Sequence, residues 1–282
     1  MKQNINNINI EFFDTSFWIG ENNLSEKFTI LDNEVEPILK KHASIFNIKT
    51  TILTNFYGLF CNPFIGNDIL ANTLKELKHS KLMQGINVWG AMFLEYEMIS
   101  GIVDLKDFEN RVKKRYLEGF RLIRLMPRTH KYPFEATMLK KIYKVLAYYK
   151  FPVVISLDEI DITNDKQIEW TKLLEIAEKF EELPIIIDGG NSKELMYNNY
   201  IFILLLNSNN IYFNIHNLFG LNQIEDIVKM GGENRLIFDS YYPFYEPFIT
   251  INRILEADLF LHQIKKIANQ NFKTILSKIG IS

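Results

Sequence analysis

The side chains of this chain that could do chemistry stand singly, each at the end of a short apolar run. Asp188 follows Ile185-Ile186-Ile187 and precedes Gly189-Gly190, and Asp239 follows Leu236-Ile237-Phe238. Both are candidate catalytic carboxylates. At the end of a buried run, Asp188 is either a base with a raised pKa or a loop cap accepting backbone N–H bonds. Asp239 is either a pocket acid or the partner of Arg124. Arg124 and Arg128 flank Met126-Pro127, and at least one of them suits a clamp for an anion or carboxylate; the other reading is a surface ion pair. His130 and His216 fall beyond apolar runs, as pocket groups or as hydrogen-bonded structural residues. Neither has a His or carboxylate at i, i+2 or i, i+4, the usual metal spacings. Asp158, Glu159 and Asp161 could take a hard cation or form a solvated loop. Ser16, Ser156 and Ser240 lack a nearby His-Asp arrangement, and there is no glycine-rich phosphate loop. His42, His79 and His262 lie in helix-like stretches and read as surface residues.

Something must bring these scattered residues together, and the pattern between them says what. Short apolar runs alternate with longer helix-like segments, the signature of βα units around a parallel sheet. The runs are Ile8–Phe13, Ile48–Leu53, Ile86–Phe93, Phe120–Leu125, Val153–Leu157, Pro184–Ile187, Ile211–Ile215 and Leu236–Phe238. Between them, Leu139, Ile142, Tyr143 and Leu146 repeat as a buried helix stripe does. So do Trp170, Leu173, Leu174 and Ala177, and Leu221, Ile224, Ile227 and Val228, with Gly231-Gly232 as a stop. Leu259 to Leu276 reads as closing helices. The expectation is a single (β/α)₈ barrel over residues 1–282, close to the ~250 residues such barrels need. A doubly wound open sheet is the alternative. In a barrel, the site lies at the C-terminal ends of the strands, where the residues above fall.

Those loops also carry a likeness. Asp14-Thr15-Ser16-Phe17-Trp18-Ile19-Gly20 resembles the first-strand motif Asp-x-His-x-His-x-Gly of the amidohydrolase-related family. Asn62-Pro63 with Gly66-Asn67, Gly119 to Pro127 with His130 to Pro133, Leu236 to Phe244, and Ile267 to Phe272 resemble further segments of that family, in the same order. The resemblance implies a metal-dependent hydrolase on a (β/α)₈ barrel. It also shows what is missing. Ser16 and Trp18 stand where the family has its first two metal-binding histidines. Ser156 stands at the third, Asp188 near a fourth, and Tyr241 at the metal-binding aspartate. Serine hydroxyls and an indole do not replace imidazole, and without the ion a water is not activated. The expectation is therefore no metal at the usual place; Asp188 leaves open a relocated divalent ion.

The composition bounds the partners. Among 282 residues, 32 Lys and Arg stand against 34 Asp and Glu, so the chain lacks the basic footprint of a nucleic-acid binder. One cysteine, Cys61, excludes an internal disulfide and a thiolate zinc site, and suits a cytoplasmic protein. The first residues are polar, with no apolar signal core, and no apolar run is long enough to cross a membrane. Twelve aromatic residues, Phe17, Trp18, Phe56, Tyr57, Phe60, Phe64, Trp89, Tyr132, Phe219, Tyr241, Tyr242 and Phe244, are expected near the barrel mouth, either filling it or walling a cavity. Ser16, Trp18, Arg124, Arg128, His130, Ser156, His216 and Tyr241 are the expected pocket. Two roles follow. One is a small-molecule binding or regulatory role, on a small anionic or carboxylate ligand, for a barrel that has lost hydrolysis; the other is acid–base chemistry on a small carboxylate, lactone or amide using Asp188 and Asp239. Trp170 or Leu204–Leu206 could supply a homodimer contact.

Overall fold

A computed structural model describes residues 10–23, 25–101, 104–160, 170–189, 195 and 198–281. Its eight parallel strands neighbour one another in sequence order: β1 (Phe12–Ile19), β2 (Ile48–Asn55), β3 (Asn87–Phe93), β4 (Phe120–Leu125), β5 (Val153–Ser156), β6 (Ile185–Asp188), β7 (Ile211–Asn214) and β8 (Leu236–Ile237). The intervening helices are α1 (Asp32–Ile45), α2 (Phe56–Phe60), α3 (Pro63–His79), α4 (Tyr96–Ser100), α5 (Leu105–Leu117), α6 (Lys140–Tyr148), α7 (Trp170–Lys179), α8 (Asn198–Asn207), α9 (Gln223–Lys229) and α10 (Pro247–Glu256). Two short helices, α11 (Leu261–Lys265) and α12 (Asn271–Leu276), close the chain through a π-turn at Lys266–Gln270. This is the (β/α)₈ barrel, not the open sheet.

The barrel closes where β1 meets the segment after β8. Trp18 N donates to Tyr242 O at 2.8 Å, and Thr15 N to Phe238 O at 3.4 Å. Alternation along the strands then sets the interior. Phe13, Ile52, Ala91, Leu122, Val154, Ile186 and Ile237 pack together inside, and α12 adds Phe272 and Ile275 to them. One step further along β4 the inward residue is Arg124, and along β6 it is Asp188. The polar site therefore stands on an apolar floor.

Three sequence readings need correcting. The first strand was expected over Ile8–Phe13, but β1 runs to Ile19; residues 8 and 9 lie outside the described residues. The polar run Asp14-Thr15-Ser16 looks like a loop in sequence, yet it is buried because its groups bond across the closing seam. His42, expected at the surface, is 2% exposed. It continues the Val35–Leu39 stripe of α1 and packs edge-on against Tyr242, with ring centroids 4.8 Å apart. Leu221, expected to begin the α9 stripe, lies before the helix and is 91% exposed. His79 and His262 are exposed as expected.

Two devices hold the helices that frame the mouth. Asn67 on α3 donates to Phe93 O and accepts from Phe93 N, each at 2.9 Å, which ties α3 to the end of β3. Beside it, α2 and α3 meet through glycine: a Cβ on Gly66 would lie 2.2 Å from the Gly58 Cα. That is backbone against backbone, with no flexible side chain to yield. Gly66→Ala is expected to cost about 2 kcal/mol or more through overpacking, read as a lowered urea midpoint with an unchanged slope.

Candidate functional site

Arg124 lies at the centre of the site. Leu122 and Arg124 share the inward face of β4, so the guanidinium rises from the apolar floor. Its Nε donates to Thr54 Oγ1 at 2.9 Å, one terminal nitrogen to Asp188 Oδ2 at 3.0 Å, and the other to Ser16 Oγ at 2.7 Å. Its carbon lies 4.6 Å from the centre of the Trp18 ring, a cation–π contact. One side chain of β4 thus binds β1, β2 and β6. Arg124 is 2% exposed and Asp188 not at all, so the charges compensate each other in a low-dielectric interior, as buried charges must.

A second pair abuts the first. Asp239 Oδ1 accepts the N–H groups of Ile215 and His216, both at 3.0 Å, and its Oδ2 pairs with His216 Nδ1. His216 Nε2 stands 3.5 Å from Asp188 Oδ1. The result is a continuous row: Arg124, Asp188, His216, Asp239. Tyr241 stacks on the imidazole, 4.2 Å between centroids and 2° from parallel. It does so from the left-handed region, at φ 55°, a conformation that costs a non-glycine residue of order 1–3 kcal/mol. From α10, Arg253 donates to Ile215 O and His216 O at 3.0 and 2.9 Å, which fixes the turn that carries the imidazole.

Of the two sequence-based readings of Asp239, a pocket acid or a partner for Arg124, the second is not what the fold builds. The structure pairs Arg124 with Asp188 and Asp239 with His216, because Asp188 is the carboxylate that β6 turns inward across from β4. Ser16, Trp18, Asp188, His216, Asp239 and Tyr241 gather around Arg124. Ser156 is half-buried at the end of β5, in register with Asp188. Arg128 is exposed, 3.3 Å from Asp158 O, and lies outside this group. His130 is buried elsewhere at the rim, with Nε2 3.1 Å from Leu59 O and its ring edge-on to Phe93; burial lowers its pKa. Glu159 acts as a loop cap, accepting from Thr129 N at 2.8 Å and Thr129 Oγ1 at 2.6 Å. Asp161 lies outside the described residues.

Thr54 and Asp14 escaped the sequence reading. Thr54 was visible in principle, two residues beyond the inward Ile52. Asp14 bridges the seam: its Oδ1 accepts from Ser16 N at 3.1 Å and Ser240 N at 2.8 Å, and its Oδ2 from Ser240 Oγ at 2.5 Å. Burial dominates over these bonds and raises its pKa to about 7.

Aromatic residues cover the row. Trp18, Phe56, Phe93, Met126 and Tyr241 form one buried cluster, with Leu59, Phe60, Phe244 and Tyr245 half-buried against it. Trp18 stacks on Phe56 at 5.1 Å and Tyr241 on Phe244 at 4.9 Å. The Trp18 Nε1 and His130 Nδ1 atoms are buried with no hydrogen-bond partner among the described residues. Not all the expected aromatics are here. Phe17 and Tyr242 pack around His42. Trp89 lies at the opposite end of the strands, where it stacks on Arg121 at 4.2 Å and lines a cleft of about 400 Å³.

Neither a protein-family model nor a curated protein matches the sequence. Solved structures do match the fold. A candidate amidohydrolase from Staphylococcus aureus superposes with a TM-score of 0.68 at 14% identity, over 95% of this chain and 100% of that one. An uncharacterised TIM-barrel protein from Bordetella bronchiseptica gives 0.67 at 13%, over 96% and 100%. The 5-carboxyvanillate decarboxylase of Novosphingobium aromaticivorans, complexed with manganese and 4-hydroxy-3-methoxy-5-nitrobenzoic acid, gives 0.67 at 13%, over 95% and 96%. The chain shares the (β/α)₈ barrel fold of these proteins.

The donor set here does not fit such a metal. Among the described residues, no group of three His, Cys, Asp or Glu side chains is placed to hold an ion. Ser16 and Asp188 turn instead to a guanidinium.

Two buried groups make stability depend on pH in opposite directions. Asp14 binds its proton more tightly folded than unfolded, so its contribution is full below about pH 4 and is lost as pH rises through about 7. His42, lowered to about 4 by burial, contributes above its unfolded value near ~6.5 and loses that contribution as pH falls through about 4. Asp14→Asn should gain stability relative to the parent between pH 5 and 8, by ~1 kcal/mol or more. His42→Phe should gain it as pH falls from ~6.5 to ~4.5. Urea melts of the three proteins across this range check both signs.

Proposed function

We propose that this barrel binds a small carboxylate at its mouth, in a carrier or regulatory role without metal-dependent hydrolysis. One observation carries the reading: beside the Arg124 guanidinium stands a buried N–H donor, that of Trp18, with no acceptor among the described residues. Arg124 spends three of its five N–H donors on Thr54, Asp188 and Ser16. The indole N–H of Trp18, whose ring lies against the same guanidinium, is buried without a partner among the described residues. A buried donor without an acceptor is costly, and a carboxylate brings acceptor oxygens together with the charge that guanidinium favours. Phe56, Tyr241 and Phe244 offer flat apolar walls to the rest of the ligand. Since the row is covered, entry requires the half-buried Phe244 and Tyr245 to swing aside. The single cysteine suits a role in the reducing cytosol.

A second reading rests on the Asp239–His216 pair. An imidazole held at Nδ1 by a carboxylate, with Nε2 directed at a second carboxylate, has the arrangement of a general base. In this reading the chain turns over a small carboxylate, lactone or amide without a metal, and Asp188→Asn abolishes turnover. The cover of aromatic side chains favours binding over turnover.

Substituted benzoates are suitable probes, followed by tryptophan fluorescence and calorimetry. Saturable binding in the millimolar range or tighter is expected. Trp18→Phe keeps the ring and removes the donor, and should weaken binding about 3- to 10-fold, the worth of one hydrogen bond. Absence of saturable binding by both aromatic and aliphatic carboxylates would remove this reading.

A further inference from the structure

We infer that the cleft at the N-terminal ends of β3 and β4, opposite the barrel mouth, is a second ligand site, built for a small phosphate monoester. It stands apart from the carboxylate reading above. The cleft of about 400 Å³ lies between the end of α3, the start of β3 and the end of α5, a size that suits a small molecule. Arg121 lines it, half-buried. One terminal nitrogen of this side chain, Nη1, donates to Tyr116 O at 2.7 Å and to Phe120 O at 2.8 Å. The rings of Trp89 and Tyr116 lie 4.2 and 3.9 Å from the guanidinium carbon. These contacts hold the charge in place, but none of them brings a negative charge to it.

Bracing the end of the barrel does not use the whole group. A guanidinium has five N–H donors, and those on Nε and Nη2 of Arg121 meet no acceptor among the described residues. These two nitrogens form an edge that takes an oxyanion bidentately. Arg235, at the same end of the barrel, shows the alternative, since its Nε and Nη2 are spent on Ile211 O and Ser208 O. Glu118, the acid in the cleft lining, is engaged by Lys114 and Arg115. Lys78, exposed at the same cleft, has no ion pair among the described residues. The lining thus offers two uncompensated positive charges. They match a phosphate monoester, which carries about −1.5 to −2 near pH 7, better than a carboxylate with one. Leu74, Leu77 and Met83 back the cleft with buried apolar side chains, and Leu117 in its lining is 80% exposed. An apolar group esterified to the phosphate has this wall to cover.

The test is the binding of phenyl phosphate to the full chain, by calorimetry. One phenyl phosphate should bind per chain, saturably and more weakly as salt rises. Inorganic phosphate should bind about 10-fold more weakly or worse, since it leaves the apolar wall uncovered. Arg121→Gln should weaken phenyl phosphate about 10-fold or more, the worth of a hydrogen bond to a charged group. Should Arg121→Gln not fold, Leu117→Glu changes an exposed side chain and sets a negative charge beside the phosphate, with a loss of about 10-fold expected. Trp18→Phe should leave the affinity unchanged, and benzoate should not displace the ligand, because both act at the mouth. A folded Arg121→Gln or Leu117→Glu protein that binds as the parent does would overturn the inference. Equal affinity for inorganic phosphate would overturn it too, as the mark of an adventitious ion only. Displacement by benzoate, or loss of affinity in Trp18→Phe, would move phenyl phosphate to the mouth and sink the second site. Absence of saturable phenyl phosphate binding sinks it outright, whatever benzoate does at the mouth.

Discussion

The site depends on a single ion pair. Arg124 and Asp188 lie almost wholly out of water, and neither charge could stay there alone, since breaking such a pair costs of order 3–5 kcal/mol. The pair therefore dictates its surroundings. Ser16 and Thr54 turn inward to take two further N–H groups of the guanidinium, and Trp18 lies against its face. Asp188, held on one side by Arg124, presents its other oxygen to His216, and His216 must then be fixed by Asp239. Each member is placed by the one before it. The rings above can pack tightly because little unsatisfied charge remains beneath them.

The barrel was legible because it rests on repeated signals. Seven of the eight apolar runs become strands within a residue or two of their expected bounds, since a buried parallel strand has to be apolar whatever its neighbours are. The first run misled for the same reason in reverse. Asp14-Thr15-Ser16 is polar and buried, and only partners a hundred or more residues away in sequence, Ser240 for Asp14, Phe238 for Thr15 and Arg124 for Ser16, make that tenable. Local pattern holds no trace of such a partner. His42 differs, because its helical spacing from Val35 and Leu39 was visible and was outweighed by its polarity.

The site was legible in its members and not in its pairing. Asp188, Asp239, Arg124 and His216 stood out because each closes or interrupts an apolar run. Which carboxylate meets which base depends on how far each strand projects and on the register between β4, β5 and β6, and sequence spacing does not encode that. Arg128 shows the limit: both arginines flank Met126-Pro127, yet four residues along the chain separate a buried hub from a solvent-exposed side chain.

The apolar floor has a kinetic consequence. Phe13, Leu122, Ile186 and their neighbours, sealed by Phe272 and Ile275 of α12, make the interior a blind vessel and not a tunnel. On the proposed carboxylate-binding reading, a guest at Arg124 would enter and leave through the same aromatic cork; charge would then govern how strongly it is held, and the repacking of Phe244 and Tyr245 would set the pace of exchange. Residence time and affinity would thus be vested in different side chains.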